Sequence, residues 1–118
     1  MMQSFLIALA TATTILGFSP QELNCLTEAI YFEARGEPLI GQLAVGNVVM
    51  SRVKSPQFPN SICSVVHQGK QSNGKMIKHK CQFSYYCDGK KEEYDDREAF
   101  IVSSKVAMNV IFEPTYEM

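Results

Sequence analysis

The sequence predicts a mainly α-helical domain, α+β in class, whose middle segment is irregular or contains a short β structure. Three observations support this prediction. Two capped stretches carry apolar residues at helical spacing, one long apolar stretch lies between Pro38 and Pro56, and Asn73-Gly74 is a tight-turn signal. The chain has 118 residues, which suffice for one small domain around a single core.

The first helix is predicted to begin after Ser19. The run Ser19-Pro20-Gln21-Glu22 combines a capping hydroxyl, a proline at the first helical position and a glutamate at the third, which is a capping box. Apolar side chains follow at helical spacing, at Leu23, Leu26 and Ile30. Gly36 and Pro38 end the pattern, because glycine leaves helical geometry at little cost and proline disfavours helix in the residue before it.

The second helix is predicted to run from Leu39 to Lys54. Apolar residues cover much of its circumference, so we expect it to be the central and most buried helix. Gly41 and Gly46 weaken the helix locally, but their lack of a side chain would allow another helix to approach closely.

A short helix and a turn are expected to follow. Asn60 or Ser61 caps the short helix, whose apolar residues are Ile62, Val65 and Val66. The segment 67–80 is basic and polar and contains Asn73-Gly74, which indicates a loop or a short hairpin.

The last helix is predicted from a second capping box, formed by Asp95 and Glu98. Its apolar face is expected to consist of Ala99, Val102, Val106 and Val110. Pro114 ends it.

The composition is that of an ordinary folded domain, with 46% hydrophobic and 19% charged residues. The formal net charge of −1 does not indicate a nucleic-acid partner, so we expect none, and we expect a monomer. The apolar run from Phe5 to Phe18 is too short for a membrane span of about 20 residues. We therefore divide the chain into residues 1–18, either an export signal or a packed helix, and a domain of residues 19–118.

Four cysteines are many for a chain of this length: Cys25, Cys63, Cys81 and Cys87. Their even number favours two disulfides in an exported domain, although four cysteines allow three pairings and free thiols are an alternative. A structural zinc site is the third interpretation, but the spacings lack the close Cys or His pairs typical of such sites. We therefore expect no metal and no other cofactor.

Glu33 is the candidate catalytic residue. It falls in phase with Leu26 and Ile30 on the apolar stripe of the first helix. A carboxylate directed at an apolar surface loses hydration, which raises its pKa toward the range of a general acid for glycoside cleavage. The alternative is a glutamate at a helix end that turns out to water. Glu37 is a candidate second carboxylate, with a solvated loop residue or a partner of Arg35 as the alternative.

Three segments in the same order resemble motifs of a family of bacterial cell-wall hydrolases that includes the spore cortex-lytic enzymes. The first lies within residues 29–53 and contains the run Glu33-Ala34-Arg35-Gly36-Glu37. The second and third are residues 58–66 and residues 81–89. Three ordered motifs make a specific signal, and together they span more than half of the chain.

The resemblance implies a lysozyme-like, lytic-transglycosylase-like domain that cleaves peptidoglycan between N-acetylmuramic acid and N-acetylglucosamine. In that family the first glutamate of the E-A-R-G-E motif is the catalytic acid, which corresponds to Glu33. The implied enzyme is a lytic transglycosylase or a muramidase, and the sequence does not separate anhydro-ring formation from hydrolysis. In a lytic transglycosylase one carboxyl group protonates the leaving oxygen and then accepts the proton of the muramyl 6-hydroxyl. The implied partner is the glycan strand. The implied location is the cell envelope or periplasm or, for a phage-encoded protein, the wall of the host.

The third motif supplies candidates for a glycan groove: Gln82, Phe83, Ser84 and Tyr85. An amide and a hydroxyl can bond sugar hydroxyl and N-acetyl groups, and aromatic faces suit sugar rings. The alternative places Phe83 and Tyr85 in the core and Ser84 in a turn. Arg35, which would orient a carboxylate or cap the first helix, and Glu37 complete the candidate substrate-binding set.

Members of that family usually continue beyond the last helix with a T-H-Y-H-A segment and a Pro-Trp-like stretch, whereas this chain contains no Trp. We therefore expect a domain shortened at its C-terminal end. Two alternatives to a glycan-cleaving enzyme stay open. One is an N-acetylmuramoyl-L-alanine amidase, and the other is a truncated wall-binding module that keeps the groove without turnover.

Overall fold

The structure, a computed structural model, describes residues 18–112. In chain order its elements are α1 (Pro20–Ala34), α2 (Leu39–Lys54), α3 (Ile62–Val66), β1 (Gly69–Ser72), β2 (Lys75–Cys81), a 3-10 turn (Ser84–Cys87) and α4 (Arg97–Phe112). The predicted mainly α-helical class is confirmed, and α2 has the predicted bounds. Apart from Phe18, the N-terminal segment expected to be an export signal or a packed helix lies outside the described residues.

The central helix is α1, which packs against α2, α3 and α4. Leu26 and Ile30 on α1 are fully buried. The prediction that α2 is the most buried helix is wrong, because its apolar residues Leu39, Ile40 and Val48 are 57%, 62% and 45% exposed. Within residues 18–112, the other helices cover only part of the circumference of α2, so its apolar sequence did not lead to burial on every side. No helix among residues 18–112 is long and apolar enough to cross a membrane.

Gly46 is the point of closest approach between α2 and α4. A Cβ atom at this position would lie 2.8 Å from Val110 Cγ2 and 3.4 Å from Ile30 Cδ1. The predicted close helix approach is therefore confirmed at Gly46. It does not hold at Gly41, whose nearest neighbour is Glu37 just before the same helix.

The helix α3 is fastened to the first turns of α1. Ser19 caps α1 as predicted, since its Oγ accepts a hydrogen bond from the Glu22 backbone N–H (3.2 Å). The Glu22 carboxylate accepts hydrogen bonds from the backbone N–H groups of Ile62 (2.7 Å) and Cys63 (3.0 Å) at the start of α3. A disulfide joins Cys25 to Cys63. Only the Ser19 half of the predicted capping box is thus shown, because the Glu22 carboxylate instead stabilises the N-terminus of α3.

The basic segment forms an antiparallel hairpin of β1 and β2. Asn73 and Gly74 both have positive φ (53° and 77°), as the two-residue turn between twisted strands requires. A second disulfide links Cys81, the last residue of β2, to Cys87 at the end of the 3-10 turn. The predicted disulfides are confirmed, and the pairing is Cys25–Cys63 and Cys81–Cys87.

The start of α4 differs by one residue from the prediction. The capping side chain is Asp96, whose Oδ1 accepts a hydrogen bond from the Ala99 backbone N–H (3.0 Å), and not Asp95. The Asp96 backbone N–H donates to the Tyr31 hydroxyl (2.9 Å), so contact with α1 selects the cap. The apolar face also differs, because Val102 is 41% exposed and Ser103 is fully buried.

Candidate active site

Glu33 lies in the last turn of α1 with its side chain exposed, which differs from the predicted inward orientation. Leu26 and Ile30 are fully buried, and the next buried residue in that stripe is Ala34, which is 3% exposed. The helical repeat of 3.6 residues puts the next inward position between residues 33 and 34, and the small alanine takes it. Glu33 therefore stands at the edge of the apolar stripe.

The carboxyl group of Glu33 nevertheless loses part of its hydration to the surrounding protein. This partial burial raises its pKa above the ordinary glutamate value. Among the described residues no hydrogen bond to the Glu33 carboxylate offsets this effect. Because the side chain still reaches solvent, the result is a bias toward the protonated form and not a fully buried neutral acid.

A cleft of about 290 Å³ lies beside this turn. On α1 it is lined by Phe32 and Arg35, and on the 3-10 turn by Tyr85. The rest of its lining is a charged segment formed by Asp88, Lys90, Lys91, Glu92, Glu93 and Asp95. Glu33 is flanked by lining residues but does not itself line the cleft.

Glu28, on the same helix, makes the strongest polar contacts near the cleft. Its Oε1 atom accepts a hydrogen bond from the Tyr85 hydroxyl (2.7 Å) and lies 2.8 Å from His67 Nε2. Burial by itself would raise the pKa of Glu28, but the hydrogen bonds with His67 and Tyr85 and the attraction of His67 outweigh it and lower the pKa. Glu28 is thus held as a carboxylate.

Glu28 was not predicted from the sequence, although its helical spacing identifies it. Glu28, Phe32 and Arg35 are spaced four and three residues apart, so they share one face of α1. Phe32 and Arg35 on that face line the cleft. The predicted stripe through Leu26 and Ile30 lies beside this face and is directed at the core.

An aromatic cluster packs between α1 and the segments that follow the hairpin. The ring of Tyr85 stacks on Phe32, with centroids 4.9 Å apart and an interplanar angle of 19°. Tyr31 meets Phe32 and Tyr94 edge-on, at 4.9 and 5.0 Å. These contacts hold the Tyr85 ring from one side while its hydroxyl is bonded to Glu28.

Two tyrosines of this cluster resist ionisation. Burial, then the hydrogen bond and the charge of Glu28, and to a lesser extent the charge of Glu33, hold the pKa of Tyr85 far above its ordinary value. Burial and the nearby charge of Glu28 raise the pKa of Tyr94 to about 12. Because the charge of Glu33 acts on Tyr85, the Glu33 carboxylate lies within electrostatic range of the cleft lining.

The other residues of the third motif do not all face the cleft. Gln82 and Ser84 are exposed but do not line it. Phe83 is 8% exposed and lies in the core, where the Arg52 guanidinium is 5.7 Å from its ring. Tyr85 fits both the core and the groove interpretations. It is only 8% exposed, as a core residue would be, and it also lines the cleft.

Arg35 and Glu37 follow Glu33 in different environments. The guanidinium of Arg35 lies over the Tyr31 ring, 4.7 Å from its centroid, and Arg35 lines the cleft. Glu37 is exposed, and its backbone carbonyl accepts a hydrogen bond from the Gln42 side-chain amide (3.0 Å). Within residues 18–112 no three His, Cys, Asp or Glu side chains are grouped so as to hold a metal ion.

The chain matches the Cell Wall Hydrolase family over residues 36–117. It belongs to the cell wall hydrolase family. The family match begins at Gly36, so it does not include Glu33 or Glu28. It does include the part of the cleft formed by Tyr85 and the charged segment after it.

This cell wall hydrolase is similar to the spore cortex-lytic enzyme of Bacillus subtilis, with 46% identity over 52 residues that cover 44% of the chain and 17% of that protein. It is 40% identical, over 52 residues and 44% of the chain, to the spore cortex-lytic enzymes of Halalkalibacterium halodurans and Bacillus cereus, of which it covers 16% and 20%. The matched segment thus spans 20% or less of each of these relatives. No solved structure matches the chain.

Proposed function

We propose that this cell wall hydrolase cleaves peptidoglycan glycan strands between N-acetylmuramic acid and N-acetylglucosamine, as a lytic transglycosylase whose general acid and base is Glu33. The observation that carries the proposal is the position of Glu33 in the last turn of α1, between the cleft-lining residues Phe32 and Arg35, where partial burial raises the pKa of its carboxyl group. A protonatable carboxyl group beside a cleft is what a single-acid mechanism requires. Family membership supports the substrate class.

The chemistry needs one carboxyl group in two roles. Protonated Glu33 donates its proton to the glycosidic oxygen as the bond between that oxygen and C1 of the muramyl residue breaks. The ionised Glu33 carboxylate then accepts the proton of the muramyl 6-hydroxyl group. The oxygen of that hydroxyl group forms a bond to C1, which closes a 1,6-anhydro ring. The carboxyl group is protonated again at the end, and no water is consumed. Glu37 therefore has no covalent role in this proposal.

The cleft provides groups that suit a peptidoglycan strand. Arg35 presents a guanidinium that can pair with a carboxylate of the muramyl lactyl group or its stem peptide. The cluster of Phe32 and Tyr85 offers apolar surface beside the polar edge of Tyr85. Gln82 and Ser84 remain candidates for contacts with a strand that extends beyond the cleft, because both side chains are exposed.

Two disulfides support a place of action outside the reducing cytoplasm. Cys25–Cys63 and Cys81–Cys87 account for all four cysteines. Such bonds persist in oxidising compartments and are rare in the cytoplasm. We therefore place the activity in the cell envelope or periplasm, or on the host wall for a phage-encoded protein.

The test is digestion of purified sacculi with the wild type and the Glu33→Gln variant, with products identified by mass spectrometry. We expect anhydromuramyl ends from the wild type and none from Glu33→Gln. Glu98→Gln, which changes an exposed glutamate in the first turn of α4, is the matched control and keeps activity. Undiminished release by Glu33→Gln would refute the role of Glu33. Reducing ends, freed stem peptides or no products from the wild type would instead indicate a muramidase, an amidase or a binding module.

A further inference from the structure

The contacts of Glu28 are not used by the mechanism above. A single oxygen, Oε1, receives the Tyr85 hydroxyl at 2.7 Å and faces His67 Nε2 at 2.8 Å. A carboxylate can only accept hydrogen bonds, so the His67 ring nitrogen and the Tyr85 hydroxyl are both donors. The Glu28 side chain is only 19% exposed, and a carboxylate with so little access to water needs such partners.

The hydrogen bond to Glu28 fixes what the Tyr85 hydroxyl can offer a ligand. A phenol has one proton, and in Tyr85 that proton is donated to Glu28. Its oxygen keeps a lone pair, so the group can still accept a hydrogen bond but cannot donate a second one. Tyr85 lines the cleft, stacking on Phe32 holds its ring, and the hydrogen bond to Glu28 holds its hydroxyl.

His67 holds the Glu28 carboxylate from the other side. It caps the C-terminus of α3, and its ring stacks on Tyr86 with centroids 4.0 Å apart and an interplanar angle of 15°. Glu28 thereby joins α1, the end of α3 and the 3-10 turn at one atom. Because one carboxylate oxygen receives both donors, it cannot move away from Tyr85 without also losing the contact with His67.

We propose that Glu28 is a positioning residue that commits the Tyr85 proton, so that the Tyr85 oxygen accepts a hydrogen bond from a sugar hydroxyl or acetamido N–H in the cleft. The inference rests on the proposed function, because it requires a glycan in the cleft. It adds that this part of the site selects ligands with a hydrogen-bond donor, and that Glu28 acts only through Tyr85.

The test measures binding, so that it does not depend on turnover. The probe is a tetrasaccharide of alternating N-acetylglucosamine and N-acetylmuramic acid, titrated calorimetrically against protein that carries Glu33→Gln. In this background Tyr85→Phe, which keeps the ring and removes the acceptor, should weaken binding about tenfold, as expected for one hydrogen bond. Tyr86→Phe is the matched control, because the ring of Tyr86 stacks on His67 and does not line the cleft.

Glu28→Met removes the carboxylate with little change in length. It should weaken binding by no more than Tyr85→Phe does, because the Tyr85 hydroxyl can still accept a hydrogen bond but is no longer held in position. Glu28→Gln keeps an oxygen that accepts from Tyr85 and should recover most of the affinity. In the Tyr85→Phe background, Glu28→Met should cause no further loss, because its route to the ligand is already absent. A purely structural role would give equal losses in both backgrounds.

Two results would overturn the proposal. One is equal weakening by Glu28→Met with and without the Tyr85 hydroxyl. The other is unchanged binding by Tyr85→Phe, and this second result does not depend on whether Glu28→Met folds. Failure of the proposed function would be seen in a different experiment, the digestion of sacculi. There, Glu33→Gln protein would still release glycan fragments.

Discussion

Glu28 and Glu33 lie on the same helix, and the protein surrounds them in opposite ways. Glu28 is tied to Tyr85 and His67, and these contacts lower its pKa. Glu33 meets partial desolvation without a compensating hydrogen bond among the described residues, and its pKa is raised. The difference teaches that distant partners, and not position along a helix, decide whether the pKa of a carboxyl group is raised or lowered.

The largest expected difference between the two glutamates is in catalysis. Glu33→Gln should lower the initial rate of glycan release by about 10²- to 10⁴-fold, the range for loss of a general acid. Glu28→Gln should lower it by less than about tenfold, because it leaves the proton donor in place. The measurement is release of soluble muropeptides from sacculi at fixed pH. Equal losses in the two variants would remove the functional distinction between them.

Replacing Glu28 should lower the stability of the fold more than replacing Glu33, which is the reverse of their expected effects on catalysis. Glu28→Ala leaves the Tyr85 hydroxyl and the His67 ring N–H without their acceptor and should lower the free energy of unfolding by about 2–4 kcal/mol. Glu33→Ala should change it by no more than about 0.5 kcal/mol, because the side chain is exposed. Urea denaturation followed by circular dichroism measures both values. A larger loss for Glu33→Ala would contradict the comparison.

Acidic pH should lower the stability of the wild-type fold, because it protonates the Glu28 carboxylate. The folded-state pKa of Glu28 lies below its unfolded value, so the stability from its ionised form is complete above the unfolded pKa. That stability is lost as the pH falls below the unfolded value and through the lower folded-state pKa. The Tm of the wild type should therefore fall more steeply on acidification than that of Glu28→Gln. Parallel curves would indicate that Glu28 does not gain its partners on folding.

The smallest expected effect is a change in Tm at neutral pH when Glu33 is replaced, and it is an increase in stability where the loss of Glu28 contacts causes a decrease. Its folded-state pKa is raised, so its contribution favours folding at low pH and is lost as the pH rises through the folded pKa. Glu33→Gln should consequently raise Tm slightly at pH about 7, and the difference should shrink on acidification. Calorimetric scans at several pH values test this. A lower Tm for Glu33→Gln at neutral pH would mean that the ionised carboxylate is stabilised by the fold.

Local signals predicted the elements well. Pro38 and Pro56 lie just outside the two ends of α2, Ser19 and Ser61 cap their helices, and Asn73-Gly74 forms the turn of the hairpin. Each of these signals depends on residues within a few positions, so it can be read without knowing the tertiary structure.

The errors came from contacts between distant segments. Asp96, and not Asp95, caps α4 because its backbone N–H is bonded to Tyr31 on α1. Glu28 was missed because its partners, His67 and Tyr85, are 39 and 57 residues away. Periodicity gave the core stripe of α1 correctly at Leu26 and Ile30, but it could not say which element covers the next face.

The contacts of Glu22 have a consequence for the chain between α2 and α3. A helix of five residues such as α3 is too short to be stable alone, so the Glu22 carboxylate and the Cys25–Cys63 bond hold it in place. Within segment 55–61, Phe58 packs against the core and Ser61 caps α3, but Pro56 and Gln57 are exposed. An insertion between Pro56 and Gln57 should therefore be tolerated, because lengthening a loop costs only a small amount of entropy and leaves His67 anchored by α1.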